Sequence, residues 1–223
     1  MHFNFVQENQ VPGGLSLAEM AGLVRESGEN RCMELLKKPI RAQGQMAMAE
    51  GNVTVREVDA TDFYRVTQHY LDFYDEIKED ASFGLPLLNE KPSLVDEMAV
   101  FIEDMKACNE GDAIGLVAES DGALVGYCYV GRRRPKSPVS HRGGLELSVK
   151  KGHRGKGIGG VLLKEMIQRC KGRFETLELE VFVVNQPARR LYERFGFKAY
   201  GLRHNSVKRN GKYFDEELMY LRL

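Results

Sequence analysis

Four glycines within six residues constrain this chain more than any other feature of its sequence. They lie in the run GKGIGG at residues 155–160, after an alternating segment typical of a strand and before a segment with helical periodicity. Glycine lets the backbone pass close to a ligand, and the amide N–H groups at the beginning of a helix converge on one concavity. The order of strand, glycine turn and helix predicts an anion site that suits a pyrophosphate. A solvated turn is the alternative.

The spacing of these glycines matches G-x-G-x-x-G, which occurs in several phosphate-binding folds. In a dinucleotide-binding fold, Glu178 or Glu180 would be the ribose ligand about 20 residues further on. That fold needs a series of parallel β-α-β units, whereas here a predicted antiparallel hairpin precedes the motif and too few residues follow it. Walker and kinase motifs are excluded as well, because Lys156 is followed by glycine and no kinase catalytic loop follows.

Charge is unevenly distributed along a chain whose formal net charge is zero. The region from 131 to 156 has a single acid, Glu146, against nine basic residues: Arg132, Arg133, Arg134, Lys136, Arg142, Lys150, Lys151, Arg154 and Lys156. Such a bias suits a cofactor that carries a further phosphate beyond the pyrophosphate. A nucleic-acid partner is disfavoured, because the basic run has no interleaved aromatic residues.

Composition predicts a soluble protein with one catalytic domain. The 223 residues, 43% hydrophobic and 29% charged, are enough for one core of ordinary size and an appendage. Four scattered cysteines without a C-x-x-C pair indicate neither zinc nor a disulfide framework, and are typical of a reducing compartment. With no run of about 18 apolar residues and no signal pattern, we expect a cytoplasmic protein with no metal and no membrane partner.

The chain divides near residue 50. Residues 1–50 carry no recognisable chemistry and are predicted to be a partly helical N-terminal extension, with helices at 17–25 and 31–37. Met46 or Met48 is an alternative start. Residues 51–223 are predicted to form the catalytic domain.

Regular elements are predicted from residue 53 onward. Strands are expected at 53–57, 113–120, 123–132, 144–149, 176–184, 202–207 and 213–221, and helices at 61–74, 92–109, 157–169 and 187–195. Asp121-Gly122 and Asn210-Gly211 predict two-residue hairpins. The fold is therefore expected to be α/β or α+β, with a mixed, mostly antiparallel central sheet flanked by helices.

Two segments resemble signatures of the GNAT superfamily of N-acetyltransferases. The first, at 149–160, contains the R/Q-x-x-G-x-G/A core as Arg154, Gly157 and Gly159. The second, at 185–197, is similar to N-x-x-A-x-x-L-Y-x-x-x-G-F. The resemblance covers roughly residues 53–221 and includes ribosomal-protein N-terminal and small-amine acetyltransferases. It implies a GNAT-like sheet, with acetyl-CoA as cosubstrate.

By this resemblance, the strands at 144–149 and 176–184 splay apart to admit the pantetheine arm, while the glycine turn holds the pyrophosphate. Asn185 would contact the arm, and backbone N–H groups near Ser148 or Val149 would polarise the thioester carbonyl. The implied cofactor-binding residues are Leu147, Ser148, Val149, Arg154, Gly155, Lys156, Gly157, Ile158, Gly159, Gly160, Asn185, Ala188 and Tyr192.

Amine attack needs a neutral nitrogen, so a base or a water path must accept a proton. Glu180 is the first candidate, because it precedes the second signature as the proposed base of ribosomal-protein N-terminal acetyltransferases does; a solvated carboxylate is the alternative. Glu146, an acid within an otherwise apolar alternation, is the second candidate. Tyr192 lies on a predicted buried helical stripe, and the resemblance implies that it protonates the leaving thiol; a plain core tyrosine is the alternative.

The acceptor amine is not specified by these patterns. The acidic and aromatic run at 70–83 would attract a cationic amine, although an exposed helix face accounts for the same charges. We therefore expect an N-acetyltransferase that acts on a protein α-amine or a small amine by direct attack in a ternary complex, with a homodimer left open. The alternative function is a non-catalytic acyl-CoA-binding regulatory module.

Overall fold

The structure, a computed structural model, describes residues 53–80 and 90–223. Within these ranges seven strands and four α-helices follow one another along the chain. They are β1 (Val53–Glu57), α1 (Phe63–Glu79), α2 (Leu94–Asn109), β2 (Ala113–Ser120), β3 (Ala123–Arg132), β4 (Arg142–Val149), α3 (Ile158–Cys170), β5 (Thr176–Phe182), α4 (Gln186–Arg194), β6 (Lys198–Arg209) and β7 (Lys212–Arg222). The predicted helices at 17–25 and 31–37 lie outside the described residues.

The strands form one mixed sheet in the order β1-β2-β3-β4-β5-β7-β6. Among the described strands, β4 and β5 are the one parallel pair, and every other neighbouring pair is antiparallel. The predicted mixed, mostly antiparallel sheet is thus confirmed. None of the described helices is both long enough and apolar enough to span a bilayer.

Both predicted two-residue hairpins are present. Asp121 and Gly122 have φ values of 50° and 77°, and Asn210 and Gly211 have 49° and 74°. Two successive positive φ angles match the right-handed twist of the flanking strands, which explains the preference for Asp-Gly and Asn-Gly. The turns fix the registers Ser120 with Ala123 and Arg209 with Lys212.

Several element ends differ from the predicted ones. α1 continues to Glu79, five residues beyond the predicted end at Tyr74. β5 stops at Phe182 instead of Val184, because the chain turns there: the Asn185 N–H donates to the Phe182 carbonyl at 2.8 Å. Asn185 then caps α4, so that helix begins at Gln186.

The sheet has a packed core on each face. On one face, α3 contributes Leu162, Leu163 and Met166, all fully buried against β2, β3 and β4. On the other, α1 and α2 cover the sheet with buried residues such as Phe63 and Phe101. Because side chains alternate along a strand, β3 presents Cys128 and Val130 to α3, and Tyr127 and Tyr129 to α1 and α2. This second face carries the candidate site.

Candidate active site

Strands β4 and β5 pair over three residues each and then separate. The register joins Arg142 to Thr176, Gly143 to Leu177 and Gly144 to Glu178, and goes no further. The segment 145–149 of β4 therefore has a strand neighbour on the β3 side only. Alternate N–H and C=O groups of this segment point into the gap, where a ligand can bind them.

Backbone amides also converge at the start of α3, next to this gap. Gly157 is the N-cap with φ 83°, and no side chain caps the helix. The first N–H groups of α3 consequently have no intrahelical acceptor, and the positive end of the helix dipole lies there. A Cβ on Gly159 would lie 3.3 Å from the Leu191 Cδ2 atom, so glycine permits close packing of α3 on α4. The turn has the donors and the shape that a diphosphate needs.

Three basic side chains of the turn are paired with one face of α1. Arg154 binds Glu76 through two N–H···O contacts of 2.7 and 3.1 Å, and its Nε donates to the Val149 carbonyl at 2.7 Å. Lys150 contacts Asp72 at 3.0 Å, and Lys151 contacts Glu79 at 2.6 Å. The acids recur at i, i+4 and i+7, which is one helix face. We call these three ion pairs the α1 clamp.

The α1 clamp corrects one expectation from the sequence. The acidic run was expected to attract the cationic amine, but Asp72, Glu76 and Glu79 already neutralise Lys150, Arg154 and Lys151. A neighbouring acid, Asp75, is paired with Lys78 and Lys91. Asp72, Glu76 and Glu79 thus hold α1 on the glycine turn, and each of these four carboxylates already has a cationic partner.

The other predicted ligand-binding residues of this region fall into two groups. Lys156 is exposed and forms no ion pair with any described side chain, so it can reach a phosphate. Ile158 is buried in the core and could contact a ligand through its backbone only. The Gly160 N–H already donates to the Gly157 carbonyl at 2.9 Å, and this glycine packs near Leu191. Packing therefore accounts for Gly160 better than a ligand does.

The two candidate bases lie on the same face of the sheet but differ in environment. Glu180 is a surface carboxylate whose Oε2 lies 3.3 Å from Nη2 of Arg133. Glu146, opposite Tyr129 in the register, has solvent access at the mouth of the gap. Neighbouring protein atoms partly desolvate its carboxylate, and this raises its pKa, an effect that Arg133 partly offsets and Glu180 reinforces.

Tyr192 lies on α4 beneath the gap, with its ring centroid 5.6 Å from that of Phe197. The residue is 7% exposed. Burial raises the pKa of its phenol well above the ordinary value, with smaller contributions from Cys128 and Glu146. Its hydroxyl therefore keeps its proton at neutral pH.

The second signature begins with a helix cap. The Asn185 Oδ1 atom accepts the Ala188 N–H at 3.2 Å, so the side-chain oxygen is occupied by α4. Its Nδ2 group makes no hydrogen bond with a described residue and is the part that could reach a ligand. Leu147, Val149 and Ala188 are half-buried and pack against the core beneath α3. They lie at the edge of that core, where their remaining exposed surface could contact a ligand.

Sequence reasoning missed a buried pair beside the gap. The Ser148 Oγ atom lies 2.8 Å from Nε2 of His69, which belongs to α1 and is fully buried. Burial and the charge of Lys150 lower the pKa of His69 to about 3, so its imidazole is neutral. No local sequence signal marks His69, because its partner is 79 residues away.

Sequence reasoning also missed Asp104 and Tyr129, which face each other between α2 and β3. The signal was the alternation of Tyr127 and Tyr129, but only the register reveals that Tyr129 lies opposite Glu146. Among residues 53–80 and 90–223, no three His, Cys, Asp or Glu side chains are grouped as metal ligands would be.

Comparisons with known proteins agree with this geometry. The model of the Acetyltransferase (GNAT) family matches residues 63–197, more than half of the chain. The L-amino acid N-acetyltransferase AaaT of Escherichia coli (strain K12) is 35% identical over 107 residues, which are 47% of this chain and 65% of that protein. The spermine/spermidine N(1)-acetyltransferase of Bacillus subtilis (strain 168) is 32% identical over 126 residues, 54% of this chain and 82% of the relative. The chain thus spans less than two thirds of the first relative.

A solved structure shares the fold. The GNAT superfamily phosphinothricin acetyltransferase (Pat) from Sinorhizobium meliloti, in complex with AcCoA, superposes with a TM-score of 0.64 at 22% sequence identity. The superposition covers 77% of this chain and 88% of that one. At such identity the likeness shows the fold alone, and it confirms the predicted class.

Proposed function

The chain belongs to the acetyltransferase (GNAT) family, and from this premise we propose that it transfers an acetyl group from acetyl-CoA to a primary amine. The observation that carries the proposal is the early separation of β4 and β5 beside the uncapped N-terminus of α3. An open strand edge and a cluster of helix amides in one place suit a pantetheine amide chain followed by a diphosphate.

Three parts of the chain would hold acetyl-CoA. The N–H groups of residues 155–159, with Arg154 and Lys156, would bind the phosphates. Segment 145–149 would pair with the amides of the pantetheine arm, and the Asn185 Nδ2 group would bind the same arm. Backbone N–H groups at Ser148 or Val149 would stabilise the oxyanion that forms on the thioester carbonyl.

Proton transfer begins with the ammonium form of the acceptor, which must lose a proton before it attacks. We assign the base role first to Glu146, because its raised pKa makes it a better proton acceptor than an ordinary carboxylate. Glu180, bound to Arg133, is the second candidate and would act through water. The neutral nitrogen then attacks the carbonyl carbon, and the C–N bond forms.

Collapse of the tetrahedral intermediate breaks the C–S bond and releases the CoA thiolate. Tyr192 is the proposed proton donor to this sulfur, since burial keeps its hydroxyl protonated. The balanced products are an N-acetyl amide, CoA thiol and one proton. No observation favours the alternative, a non-catalytic acyl-CoA-binding module.

The names of the relatives leave the acceptor open, since one is named for L-amino acids and another for spermine and spermidine.

We propose a cytoplasmic location, which the unpaired thiols of Cys108, Cys128 and Cys170 support. We expect no nucleic-acid partner, because the α1 clamp neutralises three cations of the basic run. A homodimer is proposed through the β6 edge.

The test is a thiol-release assay with acetyl-CoA and a panel of amines, comparing the parent protein with Tyr192→Phe. We expect kcat to fall about 100-fold or more, because general acid catalysis typically contributes 10²–10⁴. Tyr200→Phe on β6 is the matched control and should keep full activity. If the protein binds CoA in calorimetry but releases no thiol with any amine of the panel, the non-catalytic binding module is favoured instead.

A further inference from the structure

A group of aromatic and acidic side chains lies between the sheet and helices α1 and α2. It consists of Tyr70, Glu97, Asp104, Tyr127 and Tyr129, and we call it the α2 cluster. Tyr127 and Tyr129 project from the same face of β3, with ring centroids 6.4 Å apart and stacked. The Tyr70 ring meets Tyr127 edge-on, at 5.9 Å. Three rings therefore enclose one small region.

Position connects the α2 cluster to the proposed chemistry. Tyr129 lies directly opposite Glu146, the proposed base, on the neighbouring strand. Side chains in such a pair lie about 5 Å apart at their Cβ atoms. Tyr70 is close enough to Glu146 for the carboxylate to raise the pKa of its phenol. An acceptor whose nitrogen is at Glu146 would extend toward these rings.

The carboxylates of the α2 cluster have no cationic partner. Glu97 and Asp104 stand seven residues apart on one face of α2, and no described Lys or Arg forms an ion pair with either. The Tyr129 hydroxyl lies close enough to the Asp104 carboxylate for each group to shift the pKa of the other. Burial and the charge of Glu146 still raise the pKa of Asp104 to about 7. Both carboxylates are half-buried, and carboxylates withdrawn from water are normally paired, so this group is short of a positive charge.

A separate observation indicates a missing ligand. Tyr127 is 1% exposed, and its Oη atom has no hydrogen-bond partner. Its ring contacts those of Tyr70 and Tyr129, and its Oη atom lies beside Gly115 of β2. Buried hydroxyls rarely lack a partner, because the lost hydrogen bond to water is not replaced. The α2 cluster thus contains an unused polar group in addition to unneutralised acids.

Building on the proposed acetyl transfer, we propose that the α2 cluster binds a second ammonium group of the acceptor, which makes the preferred substrate a diamine or polyamine. Asp104 supplies the charge, and the faces of Tyr70 and Tyr129 supply cation–π attraction. Glu97 extends the negative surface along α2 for a third amine. The reacting nitrogen lies at Glu146 and the second nitrogen remains charged.

This arrangement selects against zwitterions. The carboxylate of an amino acid would lie beside Glu146 and Asp104, where like charges repel. Arg133 is the cation that acts on Glu146, and Glu180 already binds it. A simple alkylamine would be accepted, but without the attraction of Asp104.

The first test compares acceptors with the unmodified full chain, by thiol release from acetyl-CoA. The acceptors are 1,4-diaminobutane, spermidine, butylamine, an L-amino acid and a short peptide with a free N-terminus. We expect kcat/KM for spermidine and diaminobutane to exceed that for butylamine at least tenfold. Equal values for diaminobutane and butylamine, or a preference for the amino acid or peptide, would overturn the α2 cluster as an ammonium site.

The second test measures spermidine binding by calorimetry in the presence of CoA, so that no turnover is required. Asp104→Asn should raise the Kd at least tenfold. The matched control Glu103→Gln removes a charge from the exposed neighbour on α2 and should bind as the parent does. Thermal melting checks that both variants fold. Unchanged affinity in Asp104→Asn refutes the ammonium site.

The two proposals fail in different ways. If spermidine binds through Asp104 but no amine releases thiol, the α2 cluster stands and the catalytic proposal falls. If amines are acetylated without regard to a second nitrogen, the catalytic proposal stands and the α2 cluster falls.

Discussion

Two carboxylates of nearly the same position in the sheet differ in what surrounds them. Glu180 forms an ion pair with Arg133, whereas Glu146 forms none with a described side chain and has a pKa raised by desolvation. A base must be unprotonated to act, and it works best when its pKa approaches the working pH. The sequence alone ranked Glu180 as the first candidate base and Glu146 as the second. Their environments in the structure favour the opposite order.

We expect Glu146→Gln to lower kcat by about 100-fold or more, while Glu180→Gln lowers it less than about tenfold. Steady-state kinetics with saturating acetyl-CoA measure both. The low-pH limb of kcat in the parent should lie above the ordinary glutamate range, because the raised pKa leaves Glu146 protonated as pH falls. A large loss in Glu180→Gln alone would reverse the assignment.

The buried pair of His69 and Ser148 makes the fold sensitive to acid. The pKa of His69 is lowered to about 3 in the folded chain, whereas a histidine of the unfolded chain titrates near pH 6.5. Between these two pH values the unfolded chain binds a proton that the folded chain does not bind. The stability that depends on neutral His69 is complete above pH 6.5 and is lost as pH falls toward 3. Between pH 6.5 and 4.5 the loss reaches up to about 2.7 kcal/mol.

His69→Gln should weaken this dependence, because the amide can still contact Ser148 but does not titrate. Urea unfolding at pH 7.5 and pH 5 gives the two free energies, and the variant should lose less between them than the parent. His141→Gln, in an exposed loop, should behave as the parent. An equal loss in His69→Gln and the parent would show that another group governs acid unfolding.

At the scale of elements, local signals in the sequence sufficed for most boundaries. Asp-Gly and Asn-Gly placed both hairpins, and Ser93 with Asp96 caps α2, which begins at Leu94, two residues after the predicted start. The extension of α1 to Glu79 was missed, although the buried Ile77 continues the apolar face of the helix. Its acids Asp72, Glu76 and Glu79 pair with the turn that follows β4. Ion pairs across 72 to 78 residues leave no local pattern.

Part of the candidate site could likewise be predicted from local sequence, and part could not. Glycines at 155, 157 and 159 act through their own backbone, so the sequence locates them directly. Asp104 acts through its position over β3, which depends on how α2 packs on the sheet. Its neighbours in sequence are ordinary helix residues. Such a residue can be found only after the register of β3 and β4 is known.

The α1 clamp leads to a prediction about acetyl-CoA affinity. Glu76 competes with phosphate oxygens for Arg154, so Glu76→Gln should leave a more positive turn and tighten acetyl-CoA binding about two- to fivefold at low salt. Calorimetry at about 50 and 300 mM salt should show the gain shrinking as salt rises. Glu103→Gln is the control. Weaker binding by Glu76→Gln would mean that Glu76 orients Arg154 for the ligand.

At the scale of the whole molecule, the two faces of the sheet have different roles. The α3 face packs a continuous apolar core and positions the glycine turn. The α1 and α2 face carries Glu146, Ser148 and the α2 cluster, so polar groups interrupt its core. The gap between β4 and β5 is where both faces meet, and in the proposed reaction the cosubstrate and the amine would meet there.

One edge of the described sheet lies along β6. β6 has a strand neighbour on one side only, and Tyr200 and Leu202 are about half exposed along it. A long edge strand with apolar side chains is a template for pairing with a second copy. We therefore expect a homodimer through β6, which Leu202→Lys should dissociate. Light scattering after size exclusion measures the mass, and Val100→Lys, an equally exposed site on α2, should stay dimeric. A parent protein that is monomeric at about 100 µM would rule out this interface. A dimer with a Kd in the low micromolar range would be mostly formed at that concentration.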